Sequence, residues 1–292
     1  WSTVQGKLTA IRHANVKAGC GNPRDGKLRL QQILRGLKKY RGPKHKKKPV
    51  TRAMLLALRA MLDLDDPEQA TIWAAIIAAF HLMARSAEYC AKLSSGSFDM
   101  DRVFKRSSVI FLRGAIELTS NFHLADNVRF VFAKTKTGGG ETRTVWLMDH
   151  DLCPVKALIN MYQRNPTVAG SDALFCWPNS TTKLSKGVTY SDVLLLLKQA
   201  ALALGTDPKE IGTHSLRRGG CTAYLMAGAS YAQCKLYGRW RSDCVREYVE
   251  CWEDMFKDVG KRVVQGYQDP GRVVSSGLPE RPVLLAEAKL RW

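Results

Sequence analysis

A histidine and an arginine stand three residues apart in the segment Gly212-Thr-His-Ser-Leu-Arg-Arg-Gly-Gly220, as His214 and Arg217. At the start of a helix this spacing places both side chains on one face. An imidazole can donate or accept a proton near neutral pH, and a guanidinium can bind two phosphate oxygens through paired N–H groups. The pair alone is a weak signal, because a histidine at such a position also serves as a helix cap.

A second segment, Gly238-Arg-Trp-Arg-Ser-Asp-Cys-Val-Arg-Glu-Tyr248, begins twenty-one residues after Arg217. Its tyrosine lies ten residues beyond its glycine. A phenol with an ordinary pKa near 10 is a poor nucleophile, so it must be placed in line with its target and relieved of its proton. Arginine and histidine are the residue types that attack on a phosphate requires, because they stabilise the added negative charge and move the proton.

Together, the two segments resemble the C-terminal motif block of the tyrosine recombinase (phage-integrase) family. That block contains H-x-L-R-R, a glycine followed by His or Trp, and a tyrosine ten residues beyond the glycine. The wording Ser-Leu-Arg-Arg-Gly-Gly is similar to recombinases of eukaryotic mobile elements, the Crypton and DIRS-like groups. The resemblance covers residues 50–256. It implies a site-specific recombinase or integrase in which Tyr248 forms a 3′-phosphotyrosine with DNA, with no ATP, metal or other cofactor.

One position departs from the family pattern, because Arg239 follows the motif glycine where the family has His or Trp. Trp240 comes next. Either Trp240 packs against the helix of the nucleophile, or Arg239 supplies a hydrogen bond. Tyr237 and Tyr267 are the other candidate nucleophiles, and neither has the family's spacing.

The family also carries a first arginine on a buried helix, with an acidic residue three positions later. Met83-Ala-Arg-Ser-Ala-Glu88 matches this pattern. The resemblance therefore implies that Arg85 and Arg217 both bind the non-bridging phosphate oxygens. It also implies that Glu88 is the structural partner of Arg85.

A lysine in the turn of a β-hairpin is a further family feature. The segment 132–141 lies between two predicted strands, and Lys136, followed by Thr-Gly, matches best. Lys134 is the competing choice. The resemblance implies that this lysine is the general acid that protonates the leaving 5′-oxygen.

The elements that must position these residues are mainly helical. Helical patterns cover residues 3–18, 27–39, 51–62, 67–90, 154–164, 190–204, 215–227 and 231–238, with a further helix beginning near 242. Three segments rich in β-branched residues, 109–119, 128–133 and 144–148, predict one antiparallel sheet. The expected fold class is mainly α with a small antiparallel three-stranded β-sheet (α+β).

Four regions are expected along the chain. Residues 1–41 correspond to the C-terminal part of a helical core-binding domain that clamps DNA, and residues 42–50 to a basic linker. Residues 51–256 are expected to form the catalytic domain. Residues 257–292 are expected to form a tail that either docks into a neighbouring protomer, as the family resemblance implies, or folds back on its own domain. Two helices cannot close a core alone, and the chain opens at Trp1 without a methionine, so we expect the front of the core-binding domain to lie upstream.

The charge of the chain favours a polyanionic partner. The formal net charge is +19, and residues 1–50 contain fourteen Lys and Arg against one acid. The expected partner is double-stranded DNA. The family resemblance implies that a homo-oligomer, a tetramer, binds it. The cations predicted to contact DNA are Arg12, Lys38, Lys39, Lys44, Lys46, Lys47 and Lys48.

Other classes are disfavoured by composition. The longest apolar runs fall well short of the roughly 20 residues that span a bilayer. The eight cysteines include no CxxC pair, which favours free thiols in a reducing compartment and gives no support for a metal site. We expect a nuclear protein if the source is eukaryotic, and otherwise an intracellular protein associated with DNA.

Two other functions fit the same residues. The first is a domesticated DNA-binding protein that has lost catalysis. The second is an enzyme like the type IB topoisomerases, which shares the chemistry but relaxes supercoils without exchanging DNA partners.

Overall fold

A computed structural model of the chain describes residues 2–40, 47–91, 98–132, 140–178, 185–212 and 214–240. The chain divides into two compact units, residues 1–220 and residues 221–292. The description of the second unit ends at Trp240.

Two helices open the first unit, α1 (Ser2–Lys17) and α2 (Leu28–Tyr40), close to their predicted bounds. Leu34 of α2 is buried, whereas Ile11 of α1 and Ile33 of α2 are each about half exposed. Much of the apolar surface of the two helices is therefore left uncovered.

Side-chain caps set the starts of the next two helices, α3 (Arg52–Met61) and α4 (Pro67–His81). Thr51 accepts a hydrogen bond from the N–H of Met54 at 3.2 Å, and Asp66 accepts one from the N–H of Gln69 at 2.8 Å. Every residue from Ala70 to Phe80 is buried, as expected for a helix that is apolar on all sides. α4 packs against α6 (Pro154–Arg164), and this pair forms the centre of the core.

The single helix predicted over residues 67–90 is wrong, because the chain bends after α4. Met83 has a left-handed φ of 47°, which a continuous right-handed helix cannot contain. The next helix, α5, is the short segment Ser86–Tyr89. Leu82, Met83 and Ala84 are all buried, so the bend lies in the core. Arg85 therefore stands at a bend and not within a buried helix.

The main sheet has four strands where the sequence predicted three. They are β1 (Val109–Arg113), β2 (Ile116–Leu118), β3 (Asn127–Val131) and β4 (Thr142–Trp146), antiparallel in the order β2-β1-β3-β4. The strand predicted over 109–119 is split in two because Gly114 has a φ of +60° and its N–H donates to Asp126 at 2.8 Å. The other two predicted strands are confirmed to within two residues at each end.

A second antiparallel sheet pairs β5 (Cys176–Pro178) with β6 (Ser185–Gly187) and was not predicted. Strands of three residues are too short for an alternating pattern to be recognised. Aromatic packing joins the main sheet to α6, since the ring centroids of Phe111 and Tyr162 lie 4.7 Å apart.

Three further helices, α7 (Tyr190–Ala203), α8 (Ser215–Met226) and α9 (Tyr231–Tyr237), match their predicted bounds to within a residue. The described residues thus confirm a mainly helical protein with a small antiparallel sheet. Nowhere in these described ranges does a helix have the length and apolar character needed to cross a membrane.

Candidate active site

Arg85 lies at the bend between α4 and α5, and its side chain is half exposed. Glu88 contacts it twice. One carboxylate oxygen accepts the backbone N–H of Arg85 at 2.7 Å, and the other accepts from the guanidinium Nη1 at 3.1 Å. The first contact caps the start of α5, and the second orients the guanidinium.

The start of α8 carries His214, Arg217 and Arg218. Arg217 is only 3% exposed, and its Nη1 donates a hydrogen bond to the carbonyl oxygen of Met83. Met83 precedes Arg85 by two residues. The contact therefore ties the helix of His214 and Arg217 to the bend that carries Arg85.

Two successive glycines allow α8 to approach this bend. A Cβ on Gly219 would lie 2.2 Å from the carbonyl oxygen of Val50, and a Cβ on Gly220 would lie 2.1 Å from that of Phe80. Glycine is unfavourable inside a helix, but only glycine leaves room for backbone at such distances. The Gly-Gly pair that follows the two arginines thus has a packing role.

His214 is exposed to solvent. Its pKa is lowered from the ordinary value by partial desolvation and then by the positive charges of Arg217, Arg218 and Arg85. All three arginines therefore act electrostatically on one imidazole. A lowered pKa keeps this imidazole neutral at pH 7, in the form that can accept a proton.

Residues 47–50, called the strap below, run beside the segment that leads into α8. The N–H of Lys48 donates to Glu210 at 2.8 Å, and the N–H of Val50 donates to Ser215 at 3.0 Å. Two cations predicted to bind DNA contact the protein itself here. The ammonium of Lys47 donates to the carbonyl of Lys209, and the ammonium of Lys48 lies 2.7 Å from Glu210.

The hairpin predicted to carry the general acid is present as β3 and β4, which pair from Asn127–Trp146 to Val131–Thr142. The N–H of Phe132 donates to Glu141 at 2.8 Å and continues the ladder towards the turn. Lys134 and Lys136 lie outside the described residues.

The second unit contains the motif glycine and the two residues that compete for the position after it. The ring of Trp240 lies on Gly238, where a Cβ would come within 1.7 Å of Cζ3, and Trp240 is 7% exposed. Arg239 is buried with a left-handed φ of 59°. The N–H of Arg239 donates to Leu236 and that of Trp240 donates to Lys235. This pair of bonds is the Schellman ending of a helix, in which glycine normally occupies the left-handed position.

Of the three tyrosines considered as nucleophile, Tyr248 and Tyr267 lie outside the described residues. Tyr237 stacks on Tyr224, with ring centroids 5.4 Å apart. Burial, followed by the proximity of Tyr237, raises the pKa of Tyr224 above its ordinary value.

The other predicted DNA contacts are distributed over the N-terminal helices. Arg12 is exposed on α1 and lines a pocket with Arg24, and Lys39 is exposed on α2. Lys44, Lys46 and the side chain of Lys38 lie outside the described residues.

Two residues of this region were missed by the sequence reasoning, Met83 and Arg218. The adjacent arginines of the His-Ser-Leu-Arg-Arg segment could have drawn attention to Arg218, but nothing in the sequence marks Met83 as left-handed. Within the described ranges, no group of three or more His, Cys, Asp or Glu side chains is arranged to hold a metal ion.

No protein-family model matches the chain, and no curated protein matches it either. Solved structures do resemble it. One is an XerA recombinase, which is 15% identical to this chain with a TM-score of 0.43. The match covers 78% of this chain and 66% of the XerA chain, so this chain spans just under two thirds of the length of that recombinase.

Another is the integrase of the transposon Tn1549, solved in complex with a circular-intermediate DNA. It is 17% identical, with a TM-score of 0.49 over 90% of this chain and 79% of that one. These identities and TM-scores are too low to assign a role to any individual residue. Such roles are inferred only from the contacts within this chain.

Proposed function

We propose that this chain is a site-specific DNA recombinase or integrase of a mobile element, cleaving and rejoining DNA through a 3′-phosphotyrosine on Tyr248. The observation that carries the proposal is the convergence of charge on one imidazole. Arg85 and Arg217, identified from separate motifs, both act on His214, and Arg217 is bonded to the bend that carries Arg85.

Each residue has a role in this proposal. Arg85 and Arg217 stabilise the non-bridging oxygens of the pentavalent transition state. His214, neutral at pH 7, accepts the tyrosine proton or donates a hydrogen bond to the phosphate. Lys136, with Lys134 as the alternative, protonates the leaving 5′-oxygen. Trp240 or Arg239 supports the helix of the nucleophile.

The proposed partner is double-stranded DNA bound by a tetramer of this chain, in the nucleus if the source is eukaryotic. The phosphotyrosine conserves the energy of the broken phosphodiester, so that rejoining consumes no ATP. Exchange of strands between two duplexes would then require only that the 5′-hydroxyl of the partner strand attack the phosphotyrosine.

The test is a nicked suicide substrate, in which the short leaving strand diffuses away and the covalent adduct accumulates. Tyr248→Phe removes only the hydroxyl, so this variant should bind DNA in a gel shift and form no denaturant-resistant adduct. Tyr237→Phe keeps the ring that stacks on Tyr224 and should form adduct as the parent does, as should Tyr267→Phe.

The outcomes separate the three candidate functions. An adduct formed by Tyr248→Phe would assign the nucleophile to another tyrosine. A parent that shifts DNA but forms no adduct would be a DNA-binding protein without catalysis. A parent that forms adduct and relaxes supercoils, yet never joins strands from two duplexes, would be a topoisomerase-like enzyme.

A further inference from the structure

Arg218 has no part in the chemistry proposed above, yet its side chain is only 6% exposed. Its Nη1 donates to the carbonyl oxygen of Lys47 at 2.8 Å. Neighbouring residues on a helix point in different directions, and Arg217 uses its own Nη1 on Met83. The two arginines therefore fasten α8 to two different segments, the bend before Arg85 and the strap.

The strap is docked along the start of α8 by several contacts besides this one. Both of its backbone N–H donors named above, those of Lys48 and Val50, bond to the segment that contains His214. A Cβ on Gly212 would lie 2.9 Å from the Cγ of Lys47, and Gly219 meets the carbonyl of Val50. A shift of the strap would thus be transmitted to the turn that carries His214 and Arg217.

We propose that Arg218 is a positioning residue, which clamps the carbonyl of Lys47 and thereby fixes the start of α8 so that His214 and Arg217 are correctly placed for phosphate chemistry. Its catalytic consequence rests on the function proposed above, whereas the clamp itself does not. Burying a guanidinium is costly unless its donors are bonded, and the carbonyl of Lys47 accepts from one of the donors of Arg218.

The charge of Arg218 gives it an effect on His214 that a neutral side chain would lack. The positive groups that act on His214 are Arg217 and Arg218 from α8 and Arg85 from the bend. Removing the charge of Arg218 should raise the pKa of His214, because protonation of the imidazole would then meet less repulsion.

The experiment compares Arg218→Met and Arg218→Lys with a matched control, Arg106→Met. Arg106 is also a buried arginine of the first unit, and its guanidinium stacks 3.9 Å from the ring centre of Tyr162. Four quantities are measured in the full chain: the single-turnover cleavage rate at saturating DNA, the affinity for DNA, the NMR titration of His214, and amide exchange in the strap.

Arg218→Met should cleave about ten- to a hundredfold more slowly, as displacement of catalytic groups does, while its affinity for DNA changes much less. Its His214 should titrate at higher pH, and the amides of Lys48 and Val50 should exchange faster. Arg218→Lys keeps the charge and one donor, so it should recover part of the rate and nearly all of the titration. Arg106→Met should leave the rate and the titration as in the parent.

Two results would overturn the proposal. One is an Arg218→Met variant with the parental rate, titration and strap exchange. The other is equal slowing in the Met and Lys variants with His214 and the strap unchanged, which a merely structural role predicts. A parent that forms no adduct would contradict the proposed function alone, because the titration and the amide exchange still decide whether Arg218 clamps the strap.

Discussion

At the scale of single residues, the site brings the positive charges of Arg85, Arg217 and Arg218 close enough to act on His214. Arg217 and Arg218 are both buried, and each donates to a backbone carbonyl, that of Met83 and that of Lys47. Each carbonyl fixes the position of its guanidinium and adds no formal negative charge of its own. Such an arrangement favours an anion with growing charge, as a phosphate has during attack.

The proposed general acid, Lys136, can be tested by its dependence on the leaving group. Lys136→Ala should cleave ordinary DNA slowly, because the leaving 5′-oxygen then lacks its proton donor. A substrate with sulfur in place of that bridging oxygen should restore the rate, since a thiolate leaves without being protonated. Single-turnover cleavage of the two substrates measures this rescue.

Lys134→Ala is the matched control, and it should lose activity equally on both substrates or not at all. If sulfur rescues Lys134→Ala and not Lys136→Ala, the general acid is Lys134, two residues earlier in the turn. If sulfur rescues neither variant, the proton comes from another group, and Lys136 is a phosphate contact.

At the scale of elements, the sequence predicted the helices and strands better than the places where they bend. Periodicity and caps located α3, α6, α7, α8 and α9 to within about a residue, because these elements depend on local pattern. The bend at Met83 depends on tertiary burial, and no local signal favours a left-handed methionine. The two catalytic arginine candidates were found by motif, but the contact of Arg217 with that bend was visible only in the structure.

The close packing of Gly219 and Gly220 in α8 predicts how alanine at either position changes the free energy of unfolding. Alanine is the better helix former by about 1 kcal/mol, yet Gly219→Ala and Gly220→Ala would each push a Cβ against a backbone carbonyl. We expect each variant to lower the free energy of unfolding by about 1–3 kcal/mol, as overpacking does. Urea denaturation monitored by circular dichroism measures the change.

Gly36→Ala is the control, since Gly36 lies within α2 and a Cβ there would meet nothing within 4 Å. It should be neutral or stabilising by up to about 1 kcal/mol. If Gly219→Ala and Gly220→Ala stabilise the protein as Gly36→Ala does, then α8 does not lie as close to the backbone of Val50 and Phe80 as the structure places it.

At the scale of the whole molecule, charge is concentrated at one end of the sequence. The first fifty residues contain fourteen Lys and Arg against one acid, out of a net charge of +19. Elsewhere several cations are already paired with carboxylates, as Lys156 is with Asp149 at 2.8 Å and Lys186 is with Glu68 at 3.3 Å. A cation paired with a carboxylate is less available to a phosphate than an unpaired one, so net charge alone does not predict which lysines would bind DNA.

The salt dependence of DNA binding tests whether lysines predicted to contact DNA behave differently from lysines that are paired with carboxylates. Each phosphate contact releases about one counterion, so the affinity falls on a log–log plot against salt with a slope close to the number of contacts. The double variant Lys44→Gln, Lys46→Gln removes two predicted contacts and should make this slope shallower by about two. Lys156→Gln, Lys186→Gln removes the same total charge from paired lysines and should leave the slope nearly as in the parent. Equal changes in both double variants would mean that the protein binds DNA through its overall charge, and the basic linker would then lose its role as a specific contact.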